Sequence, residues 1–253
     1  MSGRLAVVGL GPGDARYLTP EASAALADAE ALYGYAPYLD RLPPRAGQSR
    51  YTSDNREERA RASAALRHAA QAACVAIVSG GDPGVFAIAA AVCEAIEAGP
   101  KSWRALDIEI VPGITAMLAV AARIGAPLGH DFCALSLSDN LKPWELIERR
   151  LDAAAAAGFV IALYNPVSRA RPWQFGAAIE RLRRHLPPET PVVLGRAVGR
   201  ADERVSVVTL AAATMDADMA TLVIVGSRET RVIARSGRPP LVYTPRAAAE
   251  VSA

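Results

Sequence analysis

The sequence predicts an α/β protein of two lobes, on three observations. Short β-branched runs alternate with stretches rich in alanine and leucine, and glycine or proline follows the end of run after run. The alternation then restarts after Gly125-Ala-Pro-Leu-Gly129. The first two features describe strands joined by crossover helices, hence a parallel sheet covered on both faces. The third places a short linker there and divides the chain into an N-terminal lobe, 1–124, and a C-terminal lobe, 125–253. At roughly 150 residues per domain, 253 residues make about 1.7 domains, which accommodates two small ones.

The elements follow in order. Arg4–Gly9 is a β-rich run that ends in glycine, and Leu10–Asp14 is a loop. Thr19 and Pro20 suit an N-cap and a first helical residue, so a helix starts there and runs to about Ala29. Ala31–Tyr33 is the next strand, and residues 40–56, rich in Pro, Arg, Ser and Gly, form a loop. Glu57–Ala73 carries charge on one face and Ala or Leu on the other, which predicts a helix. Cys74–Ser79 is a buried strand broken by Gly80–Gly84, Val85–Ala98 a helix, Leu106–Val111 a strand and Thr115–Ile124 a helix. In the second series the expected strands are Phe132–Leu137, Phe159–Tyr164, Pro191–Gly195, Arg204–Leu210 and Thr221–Gly226. Its helices are Pro143–Ala157 and Trp173–His185.

Composition excludes several classes. Apolar residues at 51% and charged residues at 21% describe a globular chain rather than a disordered one. A net charge of +2 is too balanced for a protein that coats nucleic acid, so any anionic partner must meet a local cluster of positive charge. All basic residues but Lys101 and Lys142 are arginine; a general compositional bias is the first explanation, and the fork of that side chain, suited to carboxylates or phosphates, is the second. The three cysteines and three histidines are scattered, with no C-x-x-C, which offers no disulfide framework, structural zinc site or iron–sulfur cluster. Leu5–Leu10 is too short for a signal-peptide core, and no run of ~20 apolar residues is present. A soluble, cytoplasmic protein with no membrane or nucleic-acid partner is therefore expected.

Four loops carry the candidate chemistry: Gly9–Asp14, Gly80–Gly84, Pro112–Ala116 and Asn165-Pro166, all at expected strand ends, where open α/β sheets bind ligands. The first fails as a dinucleotide fingerprint, because Gly9-x-Gly11-x-Gly13 has the wrong spacing and Pro12 has no N–H to offer a phosphate. No Walker A lysine follows it. Nor is there a G-x-S-x-G, and Ser138-Asp139-Asn140 lacks the companion motifs of a β-lactamase. These loops suit a ligand held by backbone groups with small side chains close by.

Five motifs in order, Gly9-Leu-Gly-Pro-Gly-Asp14, Leu18-Thr-Pro-Glu-Ala22, Gly80-Gly-Asp-Pro83, Pro112-Gly-Ile-Thr-Ala116 and Tyr164-Asn-Pro166, resemble those of the tetrapyrrole methylase family from Val7 to about Gly226. Gly34-Tyr-Ala-Pro-Tyr38, Ser79–Phe86, Gly129–Phe132, Ser136–Asp139, Pro143-Trp144 and Tyr164–Ser168 with Arg171 are similar to the branch that methylates precorrin-3B at C(17) in cobalamin synthesis, with ring contraction to precorrin-4. The resemblance implies that family's fold, two α/β lobes with a mainly parallel sheet in the first and a mixed sheet in the second. It also implies a homodimer, a small-molecule tetrapyrrole substrate and S-adenosyl-L-methionine as methyl donor, leaving S-adenosyl-L-homocysteine. By motif, Pro12, Gly80, Gly81, Asp82, Val85, Phe86, Thr115, Ala116, Tyr164 and Asn165 would contact the donor. Ala197, Thr221 and Leu222 would lie near its adenine.

Methyl transfer from a sulfonium asks for alignment and a dry pocket, with no metal required. The branch reaction starts from a ring hydroxyl at C(20), for which Asp14, His130 and Ser138 are acid or base candidates. Asp14 equally suits a turn acceptor, His130 a structural role and Ser138 a helix cap. Arg169, Arg171, Arg196 and Arg200, in loops after second-lobe strands, are candidate clamps for the substrate's carboxylates, or solvated surface arginines. Two competing readings share the motifs: a methylase of the same family acting on another precorrin position, a cobalt-containing intermediate or a macromolecule, and a tetrapyrrole-binding protein without turnover.

Overall fold

Leu5 and Val7 face one way and Ala6 and Val8 the other, and all four are buried; this is why Arg4–Gly9 reads as a continuous apolar run and why it forms β1, inside a sheet covered on both sides. A computed structural model describes residues 3–168, 170–213 and 217–247. By its contacts the chain divides into two units, Met1–Thr115 and Ala116–Ala253.

In the first unit β1 is followed by α1 (Pro20–Asp28), β2 (Ala31–Tyr35), the single turn α2 (Ala36–Leu39), β3 (Ser49–Ser53), α3 (Glu58–Ala69), β4 (Cys74–Ser79), α4 (Ile88–Ala98) and β5 (Asp107–Val111). Thr19 caps α1 as expected, its hydroxyl accepting from the Ala22 N–H at 3.0 Å with Pro20 in the first turn. The sheet order is β3-β2-β4-β1-β5 and every pairing is parallel. The chain leaves β1 toward one edge and β4 toward the other, so these neighbours define the topological switch point of the sheet. Leu5, Val7, Val75 and Ile77 pack under α3 and α4, while Ala6, Val8, Ala76 and Val78 pack under α1.

Two expectations need correction. The segment 40–56 holds strand β3, which pairs with β2 from Ala31↔Ser49 to Tyr35↔Ser53. It is an edge strand with Ser49, Tyr51 and Thr52 exposed, so it has no apolar alternation to betray it. The helix expected from Val85 begins only at Ile88, because Phe86 has φ +51° and Ala87 is extended.

The second unit opens with α5 (Ala116–Ile124) and β6 (Gly125–Ala126), then β7 (Phe132–Ser136), α6 (Trp144–Ala156), β8 (Val160–Tyr164), α7 (Gln174–Leu182), β9 (Pro191–Arg196), β10 (Arg204–Thr209), β11 (Thr221–Val225), β12 (Arg231–Ile233) and β13 (Leu241–Tyr243). Its main sheet has the order β10-β9-β11-β8-β7, with β7 and β8 parallel and the other pairs antiparallel. A small second sheet, β12-β13-β6, was not foreseen from sequence. The contact division falls before α5 rather than after it. The reason is local: Val120 of α5 packs against Gly195 of β9, where a Cβ would stand 2.3 Å from a Val120 methyl.

Candidate functional site

The pairing of β1 with β4 and β5 brings the loops that follow these three strands to one end of the first sheet. Gly11 and Gly81 exchange backbone hydrogen bonds across the switch point, at 3.1 and 2.8 Å. Gly113, after β5, sits so close that a Cβ on it would stand 2.2 Å from the Gly81 carbonyl. Asp82 joins the second and third loops, accepting from the Gly84 N–H at 2.8 Å and the Gly113 N–H at 3.1 Å. Arg41 stitches the first loop, donating to the carbonyls of Leu10, Gly11 and Gly13 at 2.7, 3.1 and 2.7 Å. Sequence reasoning missed Arg41 because it lies in a stretch read as plain loop. Pro12 and Thr115 are buried in this cluster, and Phe86 leaves 49% of its surface open.

The amides define what such a floor can hold. Those of Gly11, Gly81, Gly84 and Gly113 already bond inside the protein, and Pro12 has none. These four glycine amides are therefore not turned outward as a phosphate nest requires. The loops fit a ligand without phosphate that approaches backbone carbonyls and small side chains.

In the second unit the ends of β7, β8 and β9 and the start of β11 share one end of the sheet, since Ser136 pairs with Tyr164 and Arg196 with Thr221. Tyr164 accepts at its hydroxyl from the Met117 N–H of α5 at 3.2 Å. Asn165 donates to the Ser136 hydroxyl at 3.0 Å, and the Ser138 N–H donates to the same oxygen at 3.3 Å. Ala197 donates its N–H to the Ala220 carbonyl at 2.9 Å beside Thr221 and Leu222. Of the four described non-glycine residues with positive φ, three are Phe86, Asn165 and Ala197, at +51°, +53° and +49°. A left-handed backbone costs roughly 1–2 kcal/mol per residue, and such strain concentrates where function requires a particular backbone shape.

The acid–base and clamp candidates separate. Asp14 lies in the first loop, exposed, and its carboxylate caps a short 3-10 turn by accepting from the Arg16 N–H at 2.9 Å. Ser138 is with Asn165. His130 precedes β7 and so stands at the opposite end of the second sheet from Ser138, a strand length of about 15 Å away. Its Nδ1 accepts from the Asp131 N–H at 2.7 Å, a local structural use. Arg196 is bracketed at 2.8 Å by both Asp202 and Asp218. Burial pushes the Asp218 carboxyl up, but the bonds from Thr221, Arg196 and Ala220 together hold it below the usual range. Arg171 bonds Asn140 and lies 3.6 Å from Asp139. Both arginines thus already face acceptors. Arg200 is exposed at the turn after β9, and Arg169 lies outside the described residues. A cavity of about 280 Å³ next to Arg196 is lined by Leu194, Arg204, Ser206, Val208 and Thr221, small beside the ~300–1,000 Å³ of small-molecule pockets.

Among the described residues no three His, Cys, Asp or Glu side chains come together as a metal site, and no helix is long and apolar enough to cross a membrane.

Residues 4–214 match the profile of the Tetrapyrrole (Corrin/Porphyrin) Methylases. The chain belongs to the tetrapyrrole methylases. It is accordingly a methyltransferase. It is 64% identical over 247 residues, 97% of each chain, to a precorrin-3B C(17)-methyltransferase of Sinorhizobium sp. It superposes on the crystal structure of the methyltransferase CobJ with a TM-score of 0.91 and 51% identity, covering 96% of this chain and 100% of that one. A uroporphyrin-III C-methyl transferase from Thermus thermophilus, whose structure holds S-adenyl homocysteine, shares the fold at a TM-score of 0.67 and 24% identity, over 88% and 97% of the two chains.

Proposed function

We propose that this methylase transfers a methyl group from S-adenosylmethionine to C(17) of precorrin-3B and promotes contraction of the ring to precorrin-4, a step of cobalamin synthesis. The observation that carries this reading is the 64% identity along nearly the full length of a methyltransferase of that name. The first unit supports it, since loops whose Gly11, Gly81, Gly84 and Gly113 amides are bonded internally suit a sulfonium nucleoside better than a nucleotide phosphate.

When bound, the donor supplies a methyl group already activated on a positively charged sulfur. In the first unit Pro12, Gly80, Gly81, Asp82, Val85, Phe86 and Thr115 would hold it. In the second, Ala116, Tyr164, Asn165, Ala197, Thr221 and Leu222 would do so. The exposed Phe86 ring would help exclude water, and Asp82 would act indirectly by fixing the loop after β4 against Gly113. Binding of this kind aligns the reaction and keeps the site dry, which is what methyl transfer to a carbon nucleophile asks of a protein. Asp14 and Ser138 are the proposed acid–base groups for the ring hydroxyl. His130, at the other end of its sheet, ranks behind them. Arg171, Arg196, Arg200 and Arg169 are the proposed carboxylate contacts, the first two by exchange with Asp139 and with Asp202 and Asp218. The same reading makes the enzyme a cytoplasmic homodimer, which sedimentation of the purified protein checks for its oligomeric part.

The deciding experiment incubates purified protein with S-adenosylmethionine and either metal-free precorrin-3B or its cobalt-containing counterpart, and weighs the tetrapyrrole. A product heavier by one methyl, with an absorbance change on contraction, is expected from the metal-free substrate. Methylation of the cobalt form only, or of neither with donor binding intact, overturns the substrate assignment and leaves the family.

A further inference from the structure

The loops that follow β7 and β8 are fastened to each other. The Leu137 N–H donates to the Tyr164 carbonyl at 3.0 Å, Asn165 reaches Ser136 at 3.0 Å, and Arg171 holds Asn140 and Asp139. Past that tie the Trp144 and Trp173 rings meet edge to face, with centroids 4.9 Å apart. Two large apolar side chains of this pair of loops nonetheless point to solvent: Leu141 is 96% exposed and Trp173 45% exposed. Because the two loops are tied to each other, both side chains lie at the same end of the sheet, and apolar surface rimmed by polar groups suits a binding surface. The segment also carries orphaned polar atoms. The Ser168 hydroxyl and both amide atoms of Gln174, a residue with no exposed surface, are buried without a hydrogen-bond partner among the described residues.

We propose that residues 137–143 and 170–173 form a binding platform for the tetrapyrrole ring, with Leu141 and Trp173 as its apolar contacts. This rests on the proposed function for the identity of the occupant. The chemistry matches a flat conjugated ring that carries carboxylates: an aliphatic tip and an indole for the ring, and half-buried Lys142 with Arg171 for its acidic side chains. The position matches as well, since both loops spring from the strand ends that carry Tyr164, Asn165 and Ser138. Before the ring arrives, Arg171 also fixes one loop against the other through Asn140 and Asp139.

The test uses full-length enzyme carrying Leu141→Asp, Trp173→Ala or Trp173→Phe. Leu141→Asp removes almost no packing, so Tm and donor affinity stay at wild-type values. KM for the tetrapyrrole rises about tenfold, the scale of discrimination that an apolar contact supplies, while kcat changes by less than about twofold. Trp173→Ala raises KM likewise with kcat held, at some cost in Tm from the lost Trp144 contact, and Trp173→Phe restores most of the affinity. Precorrin-3B quenches tryptophan fluorescence in the wild type and less so in Trp173→Phe. Unchanged tetrapyrrole KM in Leu141→Asp and Trp173→Ala, with the wild type active, overturns the platform and spares the proposed function. A wild type that neither binds nor methylates either form of the tetrapyrrole overturns both.

Discussion

The carboxylate of Asp82 accepts the backbone N–H of Gly113 at 3.1 Å while its other oxygen accepts that of Gly84 at 2.8 Å, so one side chain sets the loops after two neighbouring strands. Hydrogen bonds to an ionised acceptor are worth more than neutral ones. Asp82→Ala leaves two N–H groups without their acceptor, at about 1–3 kcal/mol. The expected result is donor binding weakened at least about tenfold in a calorimetric titration. Unchanged donor affinity would remove the donor from this end of the first unit.

Gly113→Ala tests the close approach of the loops. Its Cβ would meet the Gly81 carbonyl at 2.2 Å and the Gly9 Cα at 2.9 Å, both backbone atoms of the site floor. Because neither can rotate away, the variant loses about 2 kcal/mol or more in urea unfolding. A wild-type midpoint would show that the loops have room the structure denies them.

Tyr164→Phe removes the acceptor of the Met117 N–H in the first turn of α5. The cost is about 1 kcal/mol of stability, read by chemical denaturation. Under the proposed placement of Tyr164 it also raises the dissociation constant for the donor. A change in stability with no change in donor affinity would make Tyr164 a helix anchor only.

Asp152 gives a pH prediction away from the site. It accepts from Arg181 at 2.6 to 3.0 Å and faces His185 at 2.9 Å, and the Arg181 bonds, outweighing the opposing effect of burial, hold its carboxyl below the usual range. A folded-state value below the unfolded one stabilises above the ordinary aspartate pKa of about 4 and is lost as pH falls through the depressed value. Asp152→Asn is therefore less stable than wild type at neutral pH, by about 1 kcal/mol for a partly exposed pair, and the gap closes only below about pH 4. A gap that persists unchanged to pH 2 would place the effect elsewhere.

What the sequence disclosed was what burial and local chain geometry write into it. Leu5–Val8 and Val75–Val78 are apolar on both faces because helices cover both sides of their sheet. Thr19-Pro20 starts α1 because capping is a property of adjacent residues. β3 stayed hidden since a polar edge strand is defined by its neighbour β2 and by nothing of its own. The glycine loops were visible one at a time, and their convergence was implied by strand-end position and by family motif. The actual closeness of Gly9, Gly81 and Gly113 follows from the register of β1 with β4 and β5, which no local pattern encodes. Arg41 escaped notice because recognition of backbone carbonyls has no spacing rule, and Arg196 looked like a loop cation until Asp202 and Asp218 folded onto it. His130 was drawn into the candidate set by its chemistry and by a motif, while the direction of β7 carries it away from Ser138.

The Gly11–Gly81 exchange of hydrogen bonds is a single antiparallel rung, laid down beyond the parallel ladder of β1 with β4 rather than continuing it. Loop tips ordinarily trade their amide protons with solvent within moments, whereas protons held in such a rung leave only when the sheet itself opens. The amides of Gly11, Gly81 and Gly113 should thus rank with those of Val7 and Ile77 in deuterium uptake. A ligand arriving there meets a surface set during folding, and little of its binding free energy goes into ordering the chain.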